Sequence, residues 1–254
     1  MIRISKPFKN SARLIVLSIL LNAVSFSGYA GVRPESTREV VELKSKEHQV
    51  DVVNGSSSPY MVQVWLETLQ GEKKAIPAVV TPPIFRINGN SKGGVKVLPI
   101  VDSLPKDRES VYLLVFQEIP QKTENNKNSL RIAVRTKIKL IIRPQGLNKL
   151  DISEQFKKVT WRLVEHGGEL LLKASNPTPF NFAITDFQYH NNGRLTSLSD
   201  SFVNITAYSD YQLVVSRDKL QDSTLIFNYA YINDFGGTSE VITKTITLEE
   251  INSE

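Results

Sequence analysis

The sequence predicts an all-β protein made of two β-sandwich domains, and three observations carry that reading. Short runs of alternating or β-branched residues recur along the chain, with turn residues between them. The runs fall into two series, separated by Arg143-Pro144-Gln145-Gly146-Leu147-Asn148, where proline blocks a ladder and glycine loosens the chain. No convincing amphipathic helix of ten or more residues interrupts either series. With 41% hydrophobic and 22% charged residues in a chain of 254, there is material for a core in each half.

Residues 1–30 read as an export leader. Arg3, Lys6, Lys9 and Arg13 precede the apolar run Leu14–Phe26, and Ser27-Gly28-Tyr29-Ala30 places small residues at the −3 and −1 positions of a cut after Ala30. The run is shorter than the roughly 20 apolar residues a membrane span needs, and Asn22 interrupts it. The processed chain, 31–254, is therefore expected to be soluble outside the cytoplasm. Beyond the leader there are 27 Lys and Arg against 26 Asp and Glu, so the formal charge of +5 belongs largely to the leader. Nucleic acid is excluded as a partner, because phosphate affinity needs a clustered basic excess.

The first series occupies residues 31–145. His48–Val53 stops at Asn54-Gly55-Ser56-Ser57-Ser58-Pro59, and Tyr60–Glu67 follows. In that run Tyr60, Val62, Val64 and Leu66 share one face, while Met61 and Gln63 share the other. Trp65 is expected to be the core tryptophan of an immunoglobulin-like sheet. Further runs are Ile84–Ile87, Val95–Leu98, Val111–Ile119 and Leu130–Arg143, with Pro82-Pro83, Asn88-Gly89-Asn90 and Gly93-Gly94 expected as turns. The spacing suits an antiparallel sandwich of about seven strands.

Leu130–Arg143 stands apart, at more than twice the usual strand length of about 5–6 residues. Leu130, Ile132 and Val134 begin an apolar row that continues to Ile142, and the opposite row is mostly cationic. Such a strand is either a core strand crossing the whole domain or an edge offered to a partner. The polar stretch Gln121–Ser129 before it reads as a loop. In the second series, residues 146–254, the strand candidates are 159–164, 169–174, 181–187, 212–216, 224–232 and 240–248.

Motifs of catalysis are missing. The chain has no cysteine and only three histidines, far apart, which argues against thiolate chemistry and histidine metal sites. No phosphate-binding loop, dinucleotide fingerprint, nucleophile elbow or zinc-protease helix motif occurs. The pairs Glu39/Glu42 and Glu249-Glu250 read as solvated faces, His48 and His190 as exposed side chains, and the sequons at Asn54 and Asn204 as chance matches. No cofactor and no metal is expected.

Several segments, in order, resemble the periplasmic pilus chaperones of the chaperone–usher pathway, the PapD-like family. They are Pro59-Tyr60-x-x-Gln63-x-Trp65, Thr81-Pro82-Pro83, Leu104-Pro105-x-Asp107-Arg108-Glu109-Ser110 and Glu118-Ile119-Pro120. Thr136–Leu140 with Arg143-Pro144, Asn176–Phe180 and Tyr231–Gly237 complete the set. Nine residues separate Pro120 from Leu130, as in the short-loop branch.

The resemblance implies two immunoglobulin-like domains set at an angle with a cleft between them, and a chaperone rather than an enzyme. It implies that Leu130, Ile132 and Val134 are lent to a pilus subunit lacking its last strand. Arg38 and Lys139 would bind the subunit's C-terminal carboxylate, and Lys96, Glu109 and Arg143 would form an interdomain charge cluster, with Lys96 where the family has arginine. The implied partners are pilus subunits and an outer-membrane usher, in the periplasm, with no nucleic acid and no membrane insertion once the leader is cut. Two alternatives stand beside it: an exported immunoglobulin-like pilus subunit or adhesin, and a periplasmic sandwich enzyme.

Overall fold

A computed structural model describes residues 31–72, 74–119, 132–191, 193–200 and 202–249. The leader, the loop Gln121–Ser129 and Leu130 lie outside these residues. Among them, no helix is long and apolar enough to cross a membrane.

The first sandwich contains β1 (Val32–Pro34), β2 (Arg38–Glu42), β3 (His48–Asn54), β4 (Tyr60–Glu67) and β5 (Ala78–Thr81). It continues with β6 (Ile84–Ile87), β7 (Ser91–Pro99), β8 (Ser110–Ile119) and β9 (Arg135–Arg143). One sheet has the order β1-β3-β7-β5 and the other β2-β9-β8-β4-β6. Alternation supplies the core: Val50 and Val52, Val62 and Val64, Val95 and Val97, and Ile138, Leu140 and Ile142 point between the sheets and are buried.

The second sandwich follows a short capped helix, α1 (Ile152–Phe156), where the Asp151 carboxylate accepts from the Ser153 backbone N–H at 2.8 Å. Its strands are β10 (Thr160–His166), β11 (Glu169–Asn176), β12 (Phe182–Asn191), β13 (Arg194–Ser197), β14 (Val203–Ile205), β15 (Ser209–Val215), β16 (Thr224–Tyr231) and β17 (Ile242–Glu249). They run β13-β12-β16-β17-β10-β11-β15, with β14 beside β12. Trp161 on β10 anchors this core, its ring centroid 5.2–5.4 Å from those of Phe187, Phe227 and Tyr229.

Four expectations are corrected. Trp65 is half-buried on the outer face of its sheet, since residue 65 has the opposite parity from Val62 and Val64; its indole N–H donates to Glu67 Oε1 at 2.7 Å, and the Arg135 guanidinium lies over the ring. The core tryptophan is Trp161. Gly93-Gly94 is not a turn but lies inside β7, where a Cβ on Gly94 would come within 2.3 Å of the Val50 carbonyl oxygen. The strand expected over 130–143 begins at Arg135, and Ile132–Val134 extend before it without regular pairing. Finally, the sandwiches are not purely antiparallel: β2 pairs β9 in parallel, and β10 pairs β17 in parallel over two residues.

The two tryptophans separate in a stability measurement. Trp161→Ala should cost about 3–5 kcal/mol, the range for a buried aromatic, and Trp65→Ala clearly less, as read by denaturant unfolding of the second and first sandwich. Equal losses would contradict this assignment of the cores.

Candidate functional site

The parallel register of β2 and β9 sets Arg38 directly beside Lys139. Ile138 and Leu140 face the core, so Lys139 between them faces outward. Arg38 is buried, at 7% exposure, and its Nη1 donates to the Ile232 carbonyl oxygen of the second sandwich at 2.7 Å. Among the described residues its Nε is buried and has no acceptor. The Lys139 ammonium touches Oδ1 of Asn204, on β14. Burial, reinforced by the Arg38 charge, pushes the Lys139 ammonium down to about 8. Two cations held together, one with an unused buried donor, match the chemistry of an anion with two acceptor oxygens.

Beside it a second charge group ties the sandwiches together. Arg143, at the end of β9, donates from Nε to Glu109 at 2.6 Å and from both terminal nitrogens to Asp234 at 2.6 and 2.8 Å. The Glu109 carboxylate also accepts from the Asn181 backbone N–H at 2.7 Å, and the guanidinium stacks over the Phe180 ring at 5.3 Å. Asp234, Asn181 and Phe180 belong to the second sandwich. An open cleft of about 330 Å³ lies alongside, lined by Gln70 and Tyr112 of the first sandwich and Asn181 and Ala207 of the second.

Lys96 does not join this group. It projects from the outer face of β7, between the buried Val95 and Val97, and its ammonium lies 2.9 Å from the exposed Glu47 carboxylate. The third member is Asp234, a carboxylate, so the order of charges is acid–arginine–acid.

The apolar row of β9 continues past the sandwich. Ile138, Leu140 and Ile142 are core residues, whereas Val134 and Ile132 in the same row are 41% and 71% exposed. The Val134 carbonyl oxygen accepts from the Glu118 backbone N–H at 3.0 Å, which keeps this segment aligned with β8. Cations and exposed apolar side chains thus occupy opposite faces of one strand.

Residues 31–148 match the family "Pili and flagellar-assembly chaperone, PapD N-terminal domain", and residues 154–243 match "Pili assembly chaperone PapD, C-terminal domain". The chain belongs to the PapD-like pilus assembly chaperones. It is 35% identical to the "Probable fimbrial chaperone YfcS" of Escherichia coli (strain K12), over 89% of this chain and 88% of that one. The crystal structure of the YadV chaperone of Escherichia coli superposes with a TM-score of 0.69 at 28% identity, covering 85% of this chain and all of the other. The SafB chaperone, solved in complex with the Salmonella enterica SafA pilin, shares the fold, with a TM-score of 0.68 at 22% identity over 84% of this chain and 95% of its own. Membership in this chaperone family sets aside the pilus-subunit reading.

In this chaperone two site residues had escaped the sequence. Asp234 stood inside the Tyr231–Gly237 motif without a role, because its partner Arg143 is 91 residues away. Asn204 was visible only as part of a sequon; its contact with Lys139 follows from the meeting of β14 with β9, which no local pattern encodes.

The depressed Lys139 has a definite consequence for stability. Its ordinary value is about 10.4, so above pH 8 the unfolded chain binds a proton that the folded chain releases. Folding stability from this group therefore rises with pH between about 8 and 10.5 and is lost as pH falls through 8. Denaturant midpoints of Lys139→Met compared with the native chaperone should show that slope removed.

Proposed function

We propose that this chaperone captures a pilus subunit by donating the segment Leu130, Ile132 and Val134 while Arg38 and Lys139 hold the subunit's C-terminal carboxylate. The observation that carries the reading is β9 itself, whose core row runs out into solvent beside the buried Arg38 and the half-buried Lys139. Parallel pairing with β2 covers only Lys139–Arg143, which leaves Arg135–Ile138 without a second neighbour among the described residues. An incoming strand can pair there through the backbone and receive alternate apolar side chains. Burying three such side chains contributes roughly 4–9 kcal/mol before the costs of ordering.

The anchor at the other end sets the register. A carboxylate has two acceptor oxygens, which the free Nε–H of Arg38 and the Lys139 ammonium can share. Fixing that end prevents a slip of one residue, which would turn the apolar row of the subunit pairing outward. The full reading includes removal of residues 1–30, action in the periplasm with immunoglobulin-like domains over 31–145 and 146–254, and delivery of the subunit to an outer-membrane usher. SafB, of the same fold, is a chaperone solved with its pilin, which supports a subunit as the partner here. The work assigned is binding, with no bond made or broken.

Two measurements test it. Arg38→Ala and Lys139→Ala should each retain native circular dichroism and lose subunit capture, and a subunit-derived peptide ending in a free acid should bind markedly better than its C-terminal amide. Equal binding of acid and amide would assign the cations another purpose. Ile132→Glu should leave the chaperone folded and abolish subunit recovery, because a carboxylate would be buried unpaired in the subunit groove. Unfolding of this variant would instead place Ile132 in the chaperone's own core.

A further inference from the structure

Glu118, near the end of β8, is a buried carboxylate at 5% exposure whose oxygens both face chain segments rather than solvent. Its Oε1 accepts from the Val32 backbone N–H at 2.5 Å and its Oε2 from the Val134 backbone N–H at 3.4 Å. One side chain therefore bridges the residue after Gly31 and the last position of the proposed donor segment. Gly31 is fixed as well, since its carbonyl oxygen accepts from the Gly55 N–H at 3.0 Å. A Cβ on Gly31 would lie 2.4 Å from Glu118 Oε1 and 3.4 Å from Oε2. Its backbone nitrogen lies about 2.5 Å from that Cβ position by bond geometry, and so within about 5 Å of Oε1.

Among the described residues no cation pairs with Glu118, and a buried carboxylate is costly unless a cation offsets it. The missing charge is one that leader removal would create. Hydrolysis of the Ala30–Gly31 peptide bond consumes one water, leaving a carboxylate on Ala30 and an amine on Gly31 that is largely protonated at neutral pH. Before the cut, that nitrogen is a neutral amide.

We propose that Glu118 is an internal binding site for the α-ammonium group of processed Gly31, and that this ion pair positions Val134 for donation. The inference rests on the proposed removal of residues 1–30 for the contact and on the donor-segment reading for its purpose. Along the β8–β9 ladder, where Leu113 pairs with Lys139 and Gln117 with Arg135, Glu118 is five residues beyond Leu113. At about 3.3 Å per residue the two charged sites lie roughly 17 Å apart, one at each end of the exposed edge. Export and processing would then complete the strand that binds the subunit, and a chain still carrying its leader would hold that strand less firmly.

The test uses the processed full chain, its start at Gly31 checked by intact mass, and two modifications of its α-amine. Selective acetylation near pH 6.5, where lysines stay protonated, removes the charge; reductive dimethylation keeps it. Acetylation should lower the unfolding temperature by about 2–4 °C and speed exchange of the Val134 amide several-fold, while dimethylation should change both much less. In Glu118→Gln the two modifications should become equivalent, because the interaction partner is gone. Equal effects of acetylation and dimethylation on the native protein would overturn the inference, and this comparison stands even if Glu118→Gln fails to fold. Subunit capture by Ile132→Glu separates the two ideas. Loss of capture with no acetylation effect removes only the Glu118 role. Retained capture with the acetylation effect intact removes only the donor reading.

Discussion

The arrangement of this chaperone depends on one buried arginine. Arg143 ends strand β9 of the first sandwich, yet its guanidinium is shared between Glu109 of that sandwich and Asp234 of the second. A buried charge of this kind gives little net stability over an apolar replacement, but losing one partner leaves an uncompensated charge and costs about 3–5 kcal/mol. Its value is therefore geometric. The fork of the guanidinium accepts only a narrow range of positions for the two carboxylates, and so for the two sandwiches.

That geometry also fixes the neighbouring pair Arg38 and Lys139. The loop carrying Asp234 also presents the Ile232 carbonyl to Arg38, and Gly236 packs against Thr37 so closely that a Cβ there would fall 2.6 Å from the threonine hydroxyl. Gly236 has φ +84°, which a glycine adopts without strain, so both the backbone turn and the close approach require it. With the loop seated, β14 brings Asn204 to Lys139 from the other side. The cations are thus positioned by contacts from both sandwiches, although both belong to the first. Strand β9 links the two ends: four of its last residues are buried while its outward row keeps the lysine at the rim.

How much of this was legible in the sequence depends on sequence separation. The runs at 60–67, 84–87 and 224–232 matched strands nearly residue for residue, because alternation over four or more positions is a local signal. The strands β1, β13 and β14, of three or four residues, carried too short a pattern to be seen. Trp65 was misplaced although its own run contained the answer: parity with the buried Val62 and Val64 put it outside, and the expectation of a core tryptophan overrode that count. Lys96, Glu109 and Arg143 all came from the family resemblance; Lys96 pairs instead with Glu47, and the loop that brings Asp234 to Arg143 is 91 residues away and carries no local signal. The parallel β2–β9 pairing is a contact over about a hundred residues, and no local pattern encodes it.

Holding Arg38 and Lys139 side by side is electrostatically unfavourable, and if the pair binds a carboxylate as proposed, that cost would make it selective. Burial removes water from both charges, and each raises the cost of the other, which is why the lysine gives up its proton more readily than an exposed one. A neutral group entering the site would leave this repulsion in place. A carboxylate bound as proposed would relieve it, offsetting the like charges while engaging the unused donor of Arg38. The expected discrimination between an acid and its amide would therefore come as much from relief of the repulsion between the two cations as from the bonds formed. The exposed Ile132 and Val134 follow the same logic in apolar form: they are poorly solvated as they stand, and a subunit groove of the kind proposed would remove them from water. On the proposed reading, a partner that satisfied only one half of the site would be held weakly, and one that satisfied both would be held in a single register.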